Sequence, residues 1–253
     1  MIYNNSAYFF LGLIIEKISV QSYGEFLKQE IFDSLGISNT SYYSTTKVVS
    51  RKVYGYNYSP EGLQQKPYLN HTWPFAAGSL WSTTEDLLTW MNALHYRQKL
   101  ADPLYQSLII PDTLKDGTPL QYAKGLVNHS NFGHKEISNG GGIHGFLSDT
   151  RYFPEEDLYI ICLINTTGPK GGGFFADDIT WKLLDEKEYE GLDLDIDVVQ
   201  LEGEYTGAAR GTTLSLEVNT IANGITVQAV GDEKIDTLEV YVENHPWMDG
   251  WKR

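Results

Sequence analysis

Apolar residues recur at helical spacing in four stretches of this sequence. A period of three to four residues predicts helices over residues 6–18, 22–36, 82–95 and 175–184. The second and third helices open on a Ser-x-x-Glu pattern, at residues 22–25 and 82–85, which is the signature of a capping box. Gly36 is the stop signal of the second helix, because glycine readily adopts the left-handed conformation that ends helices.

The centre of the chain has the pattern of a β-hairpin. Residues 145–153 and 158–165 are strand-like, and the proline-led segment 154–157 between them predicts a turn. We expect these two strands to be antiparallel neighbours in a sheet. Residues 140–142 are three glycines, whose bare backbone lets a ligand or another segment approach closely. The ordinary alternative is a hairpin with a glycine-rich entry and no function.

Further segments complete the pattern of the first 185 residues. Residues 122–128 and 134–138 are typical of two short strands around a turn at 130–133. Residues 37–80 show no periodicity and predict a long irregular region, of the kind that forms lids or walls of binding sites. The sum predicts an α/β (α+β) domain over residues 1–185, with an antiparallel sheet flanked by helices.

The composition changes after the last predicted helix. Residues 186–197 are rich in acidic side chains and predict a solvated linker. Beyond them, alternating apolar runs flank an Asn-Gly pair at residues 223–224, which is a strong hairpin signal. We therefore expect residues 198–253 to form a small β-barrel-like module, incomplete where the chain stops.

Composition argues against several classes of function. The net charge of −14 disfavours nucleic-acid partners and anionic membrane surfaces. The single cysteine, Cys162, lies in an apolar run, so neither a disulfide framework nor a cysteine-built metal site is expected. The six histidines lack metal-binding spacing, and we predict no metal and no cofactor. Residues 6–18 are too short to span a membrane and lack the basic start and cleavage pattern of a signal peptide.

Four motifs occur in an order that carries a family resemblance. They are Tyr-Asn-Asn at residues 3–5 directly before an apolar helix, LGISNT at 35–40, AAGSLWSTTEDL at 76–87 and GGGIHGF at 140–146. This succession resembles the serine β-lactamase-related family, which has the penicillin-binding-protein fold and includes class C β-lactamases, DD-peptidases and many esterases. The resemblance covers residues 1–185. The tail is loosely similar to the small β-barrel modules that follow such domains.

The resemblance implies acyl transfer through a serine ester, on peptide, β-lactam or ester substrates. In the family a nucleophilic serine and a lysine one helical turn later (Ser-x-x-Lys) face the same cleft. Tyr3 matches the family's proton-relay tyrosine, and Asn5 matches its substrate-orienting asparagine. Both are therefore candidate catalytic residues.

A second set of residues is expected to bind the substrate. Asn139, Gly140 and Gly141 fall where the family has Lys-Thr-Gly or His-x-Gly. Gly142 would lend its backbone N–H to an oxyanion hole. His144 follows within the glycine-rich turn and is a candidate ligand contact; the ordinary alternative is a loop histidine without that role.

Two departures from the family pattern bear on activity. The family places Ser-x-x-Lys upstream of Tyr-x-Asn, where this chain has only two residues, so we expect that N-terminal segment to be missing and to be a candidate partner. Asn139 is neutral where a lysine or histidine usually stands. Lowering a tyrosine pKa from about 10 to near 7 takes roughly 4 kcal/mol, which neighbouring cations would supply. Tyr3 is therefore expected to be a neutral phenol and a poor general base.

Other matches to these short motifs are expected to be coincidental. Ser44 and Lys47 form a Ser-x-x-Lys, but they lie on the wrong side of Tyr-Asn-Asn and no buried helical stripe follows them. The Tyr-x-Asn at residues 68–70 is expected to be a surface turn. Trp73 and Trp81 are candidates to wall the cleft, with the core as the ordinary alternative.

Three hypotheses about function follow, since a fold does not fix a function. The first is a β-lactamase-related serine hydrolase that lacks its nucleophile segment and is inactive alone. The second is a non-catalytic binding or regulatory protein that keeps the cleft. The third is an enzyme that uses Ser44 unconventionally. The family is commonly exported, and this sequence does not locate the chain in the cell.

Limited proteolysis tests the predicted organisation. Because the acidic residues 186–197 are expected to be solvated, a broad-specificity protease should cut first between Asp185 and Val198 and release a resistant fragment. Mass spectrometry over a time course locates the first cut. Resistance of this segment, with earlier cleavage elsewhere, would contradict an independent module.

Overall fold

Helices and antiparallel strands occur in separate runs along the chain, in the manner of an α+β protein. The computed structural model describes residues 3–42, 52–59, 62–96, 102–168, 170–184, 198–209, 212–221, 224–230 and 235–239. Its helices are α1 (Asn5–Ser19), α2 (Tyr23–Leu27), α3 (Asp33–Leu35), α4 (Thr84–His95), α5 (Asp102–Ile109) and α6 (Gly172–Leu184). Its strands are β1 (Ser41–Tyr42), β2 (Tyr56–Ser59), β3 (Gly62–Gln65), β4 (Leu80–Trp81), β5 (Val127–Asn131), β6 (His134–Ile143), β7 (Phe146–Phe153), β8 (Leu158–Ile164), β9 (Gly203–Ala209), β10 (Thr212–Ile221), β11 (Gly224–Ala229) and β12 (Ile235–Glu239). Contacts divide the chain into two compact units, one within Tyr3–Asp185 and one within Glu186–Arg253.

The first unit is built on a four-stranded antiparallel sheet. Its strands are hydrogen-bonded in the order β5-β6-β7-β8. β7 pairs with β8 in a register that sets Leu147 opposite Ile164 and Phe153 opposite Leu158. The predicted central hairpin and the predicted fold class are therefore confirmed.

Two tight turns fix the register of this sheet. Phe132 and Gly133 join β5 to β6 with φ of 51° and 84°, and His144 and Gly145 join β6 to β7 with φ of 42° and 92°. Positive φ at both central positions is the geometry of a type I′ turn, whose twist matches that of the strands. Gly145 is also required by space, because a Cβ there would lie 2.7 Å from the carbonyl carbon of Gly55.

The predicted helix over residues 22–36 is confirmed, with an irregularity in its middle. The hydroxyl of Ser22 accepts the Glu25 N–H at 3.3 Å, and the Ser22 N–H donates to the Glu25 carboxylate at 3.2 Å, which completes the predicted capping box. A π-helical turn, Lys28–Phe32, separates α2 from α3. Gly36 ends the helix with φ of 72°.

The capping box predicted at residues 82–85 is wrong by one residue. α4 has Thr83 as its N-cap, and the Thr83 hydroxyl accepts the backbone N–H of Asp86 at 3.3 Å. The Ser82 hydroxyl is instead hydrogen-bonded to that of Thr40, at 2.7 Å. A contact distant in sequence thus removed the serine that the local pattern favoured as the cap.

Two other regions differ from the sequence prediction. The described residues between positions 37 and 80 are largely irregular, as expected, but they contain the short strand pair β2–β3, and β1 pairs with β4 at the end of the region. The strand predicted over residues 122–128 begins only at Val127. α5 has no counterpart in the prediction.

Apolar residues cover both faces of the central sheet. Ile137 and Tyr152, which are register partners, pack against Met91 and Leu94 of α4 and against α5. On the opposite face, Phe153, Ile160 and Cys162 pack against Ala176 of α6. The burial of Cys162 agrees with its predicted role as a small apolar residue.

A buried arginine joins this sheet to α6. Arg151 of β7 is only 5% exposed and contacts three carboxylates: Asp149 through Nε at 2.8 Å, Asp177 through Nη1 at 2.5 Å and Glu136 through Nη1 at 3.5 Å. Its Nη2 also donates to the carbonyl of Gly173 at 3.1 Å. Burial alone would lower the pKa of Arg151, but the surrounding carboxylates raise it, so the guanidinium stays charged.

α1 is apolar on two sides, and the described residues cover only one of them. Its inner side packs on the 3-10 turn Phe75–Ala77, where a Cβ on Gly12 would lie 2.4 Å from the Ala76 side chain. On the outer side, Leu11, Ile14 and Ile18 are 51%, 50% and 78% exposed. A helix that is apolar all round is normally buried all round. The outer side of α1 is therefore an exposed apolar surface among the described residues.

None of the helices in the described ranges is a candidate for a membrane span.

The second unit contains a separate antiparallel sheet. Its four strands follow one another in the order β12-β11-β10-β9, so each strand pairs with its neighbour in sequence. β10 and β11 form the predicted hairpin, with Ile221 opposite Gly224. The acidic segment 186–197 lies outside the described residues, as does Asn223 of the predicted turn.

His95 should make the free energy of unfolding depend on pH. It is 6% exposed, stacks on Tyr152 with ring centroids 4.3 Å apart, and its Nδ1 is 2.9 Å from the Tyr105 hydroxyl. Burial lowers the pKa of His95 from 6.5 to about 4. The unfolded chain therefore takes up a proton first as pH falls, and about 3 kcal/mol of stability should be lost between pH 7 and 4.

Urea unfolding of wild type and His95→Asn at several pH values checks this. The free-energy difference between the two proteins should shrink by about 3 kcal/mol from pH 7 to 4. Tyr105→Phe is the matched control, because it removes the hydrogen bond and leaves the titrating ring. The free energy of unfolding of Tyr105→Phe should depend on pH as that of the wild type does. If the free energy of unfolding of His95→Asn fell with pH in parallel with that of the wild type, the assignment would be refuted.

Candidate active site

Tyr3 and Asn5 lie at the N-terminus of α1, as the sequence predicts for a Tyr-x-Asn motif before a helix. Asn4 is the N-cap, and its side-chain oxygen accepts the Ala7 N–H at 2.9 Å. This cap leaves Tyr3 and Asn5 on either side of it, both exposed to solvent, with Tyr3 54% accessible. The cap thus fixes where the chain enters the helix and presents the two candidate residues together.

Tyr3 belongs to a cluster of three tyrosines that the sequence did not reveal. Its ring lies 5.4 Å from that of Tyr8 and 5.5 Å, edge-on, from that of Tyr122. The hydroxyls of Tyr8 and Tyr122 are hydrogen-bonded to each other. Burial, and secondarily Tyr8, raise the pKa of Tyr3 above its usual value of 10.0. Both effects oppose ionisation of Tyr3, and the contribution expected from Asn139 stays a prediction.

The glycine strand presents backbone groups to an open edge. β5 pairs with β6 only as far as Ser138, so residues 139–143 have β7 on one side and no described strand on the other. A two-residue hairpin closes on a hydrogen-bonded pair, here Ile143 with Phe146, and bonding alternates along an antiparallel ladder. Gly140 and Gly142 therefore direct their N–H and C=O groups to the open edge. The oxyanion role expected of Gly142 requires this orientation, and the role itself stays a prediction.

Side chains would not fit easily along this strand. A Cβ on Gly140 would lie 3.3 Å from the carbonyl oxygen of Ser148, one on Gly141 would lie 3.1 Å from the Ser148 hydroxyl, and one on Gly142 would lie 3.0 Å from Leu147. Asn139 is exposed, and its carbonyl accepts the Thr150 hydroxyl at 2.9 Å. The glycines therefore keep both the edge and the adjoining face of the strand open.

The two halves of the candidate site converge on residues 74–78. A half-open cavity of about 270 Å³ lies between the start of α1 and residues 73–77, and Asn5 is part of its wall. A Cβ on Gly78 would contact both Pro74, at 3.9 Å, and Ile143 at the end of β6, at 3.5 Å. Pro74 lines the cavity, so one short segment touches both the Asn5 side and the glycine strand.

A second connection runs through Tyr122. The segment before β5 turns at Gly125, with φ of 100°, and forms a bridge between Tyr122 and Val127. Val127 is the residue opposite Ser138, one position before Asn139. The Tyr8–Tyr122 hydrogen bond therefore ties α1 to the strand pair that carries the glycines. A lone tyrosine in an unpatterned segment gives no sequence signal for such a role.

His144 occupies the turn that closes β6 and β7 and is exposed. Burial lowers the pKa of His71, and the charges of Lys52 and His144 lower it further. His144 therefore lies close enough to His71 to affect its ionisation. Lys52 also lies 4.9 Å from the centre of the Trp81 ring. His144 thus sits beside a cationic and aromatic group of side chains, and its predicted contact with a ligand is untested.

The remaining sequence candidates are placed as follows. Trp73 is 82% exposed and lines the cavity, so it is not a core residue, whereas Trp81 is half-buried against Phe146. Asn70 accepts the backbone N–H of Thr72 at 3.1 Å, as a surface turn requires. Ser44 and Lys47 lie outside the described residues. Within the described ranges, no group of three or more His, Cys, Asp or Glu side chains could hold a metal ion.

Tyr3 should titrate above pH 10 in this chain. Difference absorbance titrations of wild type against Tyr3→Phe isolate this residue among the 17 tyrosines. Tyr8→Phe should move the Tyr3 pKa toward its usual value, because it removes the neighbouring charge that opposes ionisation. Tyr58→Phe, an exposed tyrosine elsewhere, is the control and should leave it unchanged. A Tyr3 pKa near 7 would contradict the assignment of a neutral phenol.

Solved structures share the fold. The octameric penicillin-binding protein homologue from Pyrococcus abyssi superposes with a TM-score of 0.65 at 25% identity, over 93% of this chain and 54% of that chain. A D-stereospecific amidohydrolase from Streptomyces superposes with a TM-score of 0.61 at 22% identity, over 72% of this chain and 54% of its own. The second likeness concerns the fold alone.

Sequence relatives agree with this placement. A D-aminopeptidase from Gluconobacter oxydans is 25% identical over 163 residues, which are 64% of this chain and 31% of the relative. Penicillin-binding protein 4* of Bacillus subtilis is 28% identical over 157 residues, 57% of this chain and 35% of the relative. The chain thus spans about a third of the length of these relatives. The profile of the Beta-lactamase family matches residues 1–184, and the chain belongs to this family of β-lactamase-related serine hydrolases.

Proposed function

We propose that this chain supplies the Tyr-x-Asn helix and the glycine strand of a serine acyl-transfer active site. The observation that carries the proposal is the convergence of Asn5 and β6 on residues 74–78. Among the described residues, no serine is followed by a lysine three positions later. The nucleophile and its lysine would therefore come from a segment outside them.

Each described part has a distinct task in such a reaction. The serine oxygen would attack the substrate carbonyl carbon, and the Gly142 N–H would donate to the carbonyl oxygen as it gains negative charge. The Asn5 amide would orient the substrate through a hydrogen bond. Tyr3, as a neutral phenol, would pass a proton only after a nearby lysine ammonium had lowered its pKa.

The exposed stripe of α1 supports a docking position for the nucleophile segment. Leu11, Ile14 and Ile18 recur at the spacing i, i+3, i+7, which presents one apolar ridge to a second helix. A helix packed along this ridge would run toward the end of α1 that carries Tyr3 and Asn5. Burial of the ridge would contribute roughly 1.5–3 kcal/mol for each large side chain that is fully covered.

The names of the relatives favour amide substrates. One sequence relative is named a D-aminopeptidase, and one solved structure of the same fold is named a D-stereospecific amidohydrolase. We therefore place amides and peptides of D-amino acids ahead of β-lactams and simple esters as substrates. The second hypothesis, a non-catalytic binding protein, is supported by the raised pKa of Tyr3 and the neutral Asn139.

Active-site labelling tests the proposal on the chain by itself. A fluorophosphonate or a labelled penicillin should leave no stoichiometric adduct by mass spectrometry, because losing the nucleophile leaves only residual assistance from binding and the oxyanion hole. An adduct on Ser44 that Ser44→Ala abolishes would overturn the proposal and establish Ser44 as the nucleophile.

Supplying the nucleophile segment is the converse test. If the coding sequence upstream of Met1 carries Ser-x-x-Lys in frame, its co-expression should produce an adduct on that serine and hydrolysis of D-amino-acid anilides. Tyr3→Phe should then lower kcat by about 10²–10⁴-fold, whereas Tyr58→Phe should not. Ile14→Glu should weaken recruitment of the segment, and Leu63→Glu, at an exposed apolar site outside α1, should not. An in-frame stop codon followed by a start signal would favour the binding protein.

A further inference from the structure

The Tyr3 side chain is held by neighbouring rings and not by its own hydroxyl. That hydroxyl has no hydrogen-bond partner among the described residues, and Tyr3 is 54% exposed. Its ring instead lies against two others, 5.4 Å from that of Tyr8 and 5.5 Å, edge-on, from that of Tyr122. A proton relay needs a free hydroxyl in a fixed place, so these two rings decide where the Tyr3 oxygen can be.

We infer that Tyr122, through its hydrogen bond with Tyr8, is the positioning residue that holds the Tyr3 phenol in a fixed orientation relative to the glycine strand. The inference rests on the proposed function for the importance of that orientation. It goes beyond it by assigning a role to a residue outside the four motifs that carry the family resemblance. Tyr122 acts through Tyr3 and takes no part in the chemistry itself.

Helix geometry fixes the Tyr8 half of this arrangement. Tyr8 follows Asn5 by three positions on α1, so the two residues lie on the same side of the helix. Helical side chains lean toward the N-terminus, which directs the Tyr8 ring toward Tyr3. A Cβ on Gly125 would lie 3.5 Å from the Tyr8 hydroxyl, so this glycine leaves room for the hydroxyl beside the turn that carries Tyr122.

The turn that carries Tyr122 is closed on itself and tied to β5. The N–H of Ala123 donates to the carbonyl of Leu126 at 2.8 Å, and the N–H of Asn128 donates to the carbonyl of Gln121, also at 2.8 Å. Asn128 belongs to β5, which pairs with the strand that carries the glycines. A displacement of the Tyr122 backbone would therefore require a displacement of that strand pair.

The order in which the tyrosines ionise keeps the hydrogen bond in place. Burial raises the pKa of Tyr122, the hydrogen bond with Tyr8 raises it further, and negative charge on Tyr8 or Tyr3 raises it again. Tyr122 therefore keeps its proton when Tyr3 ionises, and its hydroxyl stays available to Tyr8 while Tyr3 relays a proton.

A small change of orientation is enough to stop such a relay. A proton passes between heavy atoms within about 2.6–3.2 Å, and a misplacement of about 1 Å can cost on the order of 10²-fold in rate. Without the Tyr8–Tyr122 hydrogen bond, the exposed Tyr3 ring would sample several orientations. Tyr122→Phe is the sharpest test, because it keeps the ring that touches Tyr3 and removes only the hydroxyl.

Fluorine NMR of the intact chain measures the orientation of Tyr3 without requiring catalysis. The label is 3-fluorotyrosine at position 3, observed at a pH well below its pKa in the wild-type background and in each variant. In the wild-type background its shift should differ from that of free 3-fluorotyrosine, because the Tyr8 and Tyr122 rings lie against the label. Tyr122→Phe should move the shift at least halfway to the free value.

Matched variants separate positioning from a simple link between segments. Tyr8→Phe should move the fluorine shift as far as Tyr122→Phe does, and the double variant no farther, because all three lack the same hydrogen bond. Tyr205→Phe removes a tyrosine hydrogen bond to the Leu201 carbonyl in the second unit, and it should leave the shift at its wild-type value. Circular dichroism and melting temperature confirm that each variant is folded.

The enzyme completed by the supplied segment gives a second readout. Tyr122→Phe should lower kcat by about tenfold and leave KM within about twofold, because the relay acts in the transition state and the contacts to bound substrate are kept. Tyr205→Phe should change neither constant.

The outcomes separate this inference from the proposed function. A fluorine shift that Tyr122→Phe leaves unchanged, or a double variant whose effect is the sum of the two single ones, would overturn the positioning role. A completed enzyme whose kcat is the same with Tyr122→Phe would overturn it as well. Failure to form an acyl-enzyme would instead refute acyl transfer, and the orientation of Tyr3 measured on the chain alone would stand.

Discussion

The candidate site depends on one buried guanidinium beneath the glycine strand. Arg151 holds carboxylates from β6, β7 and α6, and one of them, Asp149, is the register partner of Gly140. The position of the strand is therefore coupled to the helix on the far side of the sheet. Removing one partner from a buried ion pair costs about 3–5 kcal/mol, because the remaining charge is left without compensation. Three carboxylates around a single cation make this the most demanding charge arrangement among the described residues.

Local patterns predicted those parts of the fold whose causes are local. The hairpin of β7 and β8 follows from an apolar run on each side of a proline-led turn, and the capping box at Ser22 needs only four consecutive residues. The N-cap of α4 was misplaced because the Ser82 hydroxyl is bound by Thr40, a residue that no local pattern connects to it. α5 was missed, and its buried residues Tyr105 and Ile109 belong to a cluster that also holds residues of α4 and of the central sheet.

The candidate site divides in the same way. Tyr3, Asn5 and the three glycines became candidates because short motifs carry them, and the structure sets them on the elements expected. The residues that connect them, such as Tyr122 and Pro74, come from segments without periodicity. Their roles depend on contacts over more than 60 positions of sequence, which only the folded chain displays. Trp73 shows the limit of residue statistics, since tryptophans are more often found in the core and this one is 82% exposed beside the cavity.

The close approach of Gly145 to Gly55 has a consequence for how this protein can change. A Cβ atom at either position would collide with the opposite segment. A Cβ on Gly145 would meet the backbone of residues 55 and 56, and a Cβ on Gly55 would meet the His144 carbonyl oxygen and the Phe146 ring. Replacing one glycine does not relieve the constraint on the other, so no single substitution opens a path to a pair of larger residues. Variation in the turn that ends the glycine strand is thereby confined to His144, whose side chain faces solvent. Mutational drift in this corner should then alter what the turn offers to a ligand and leave its backbone course unchanged.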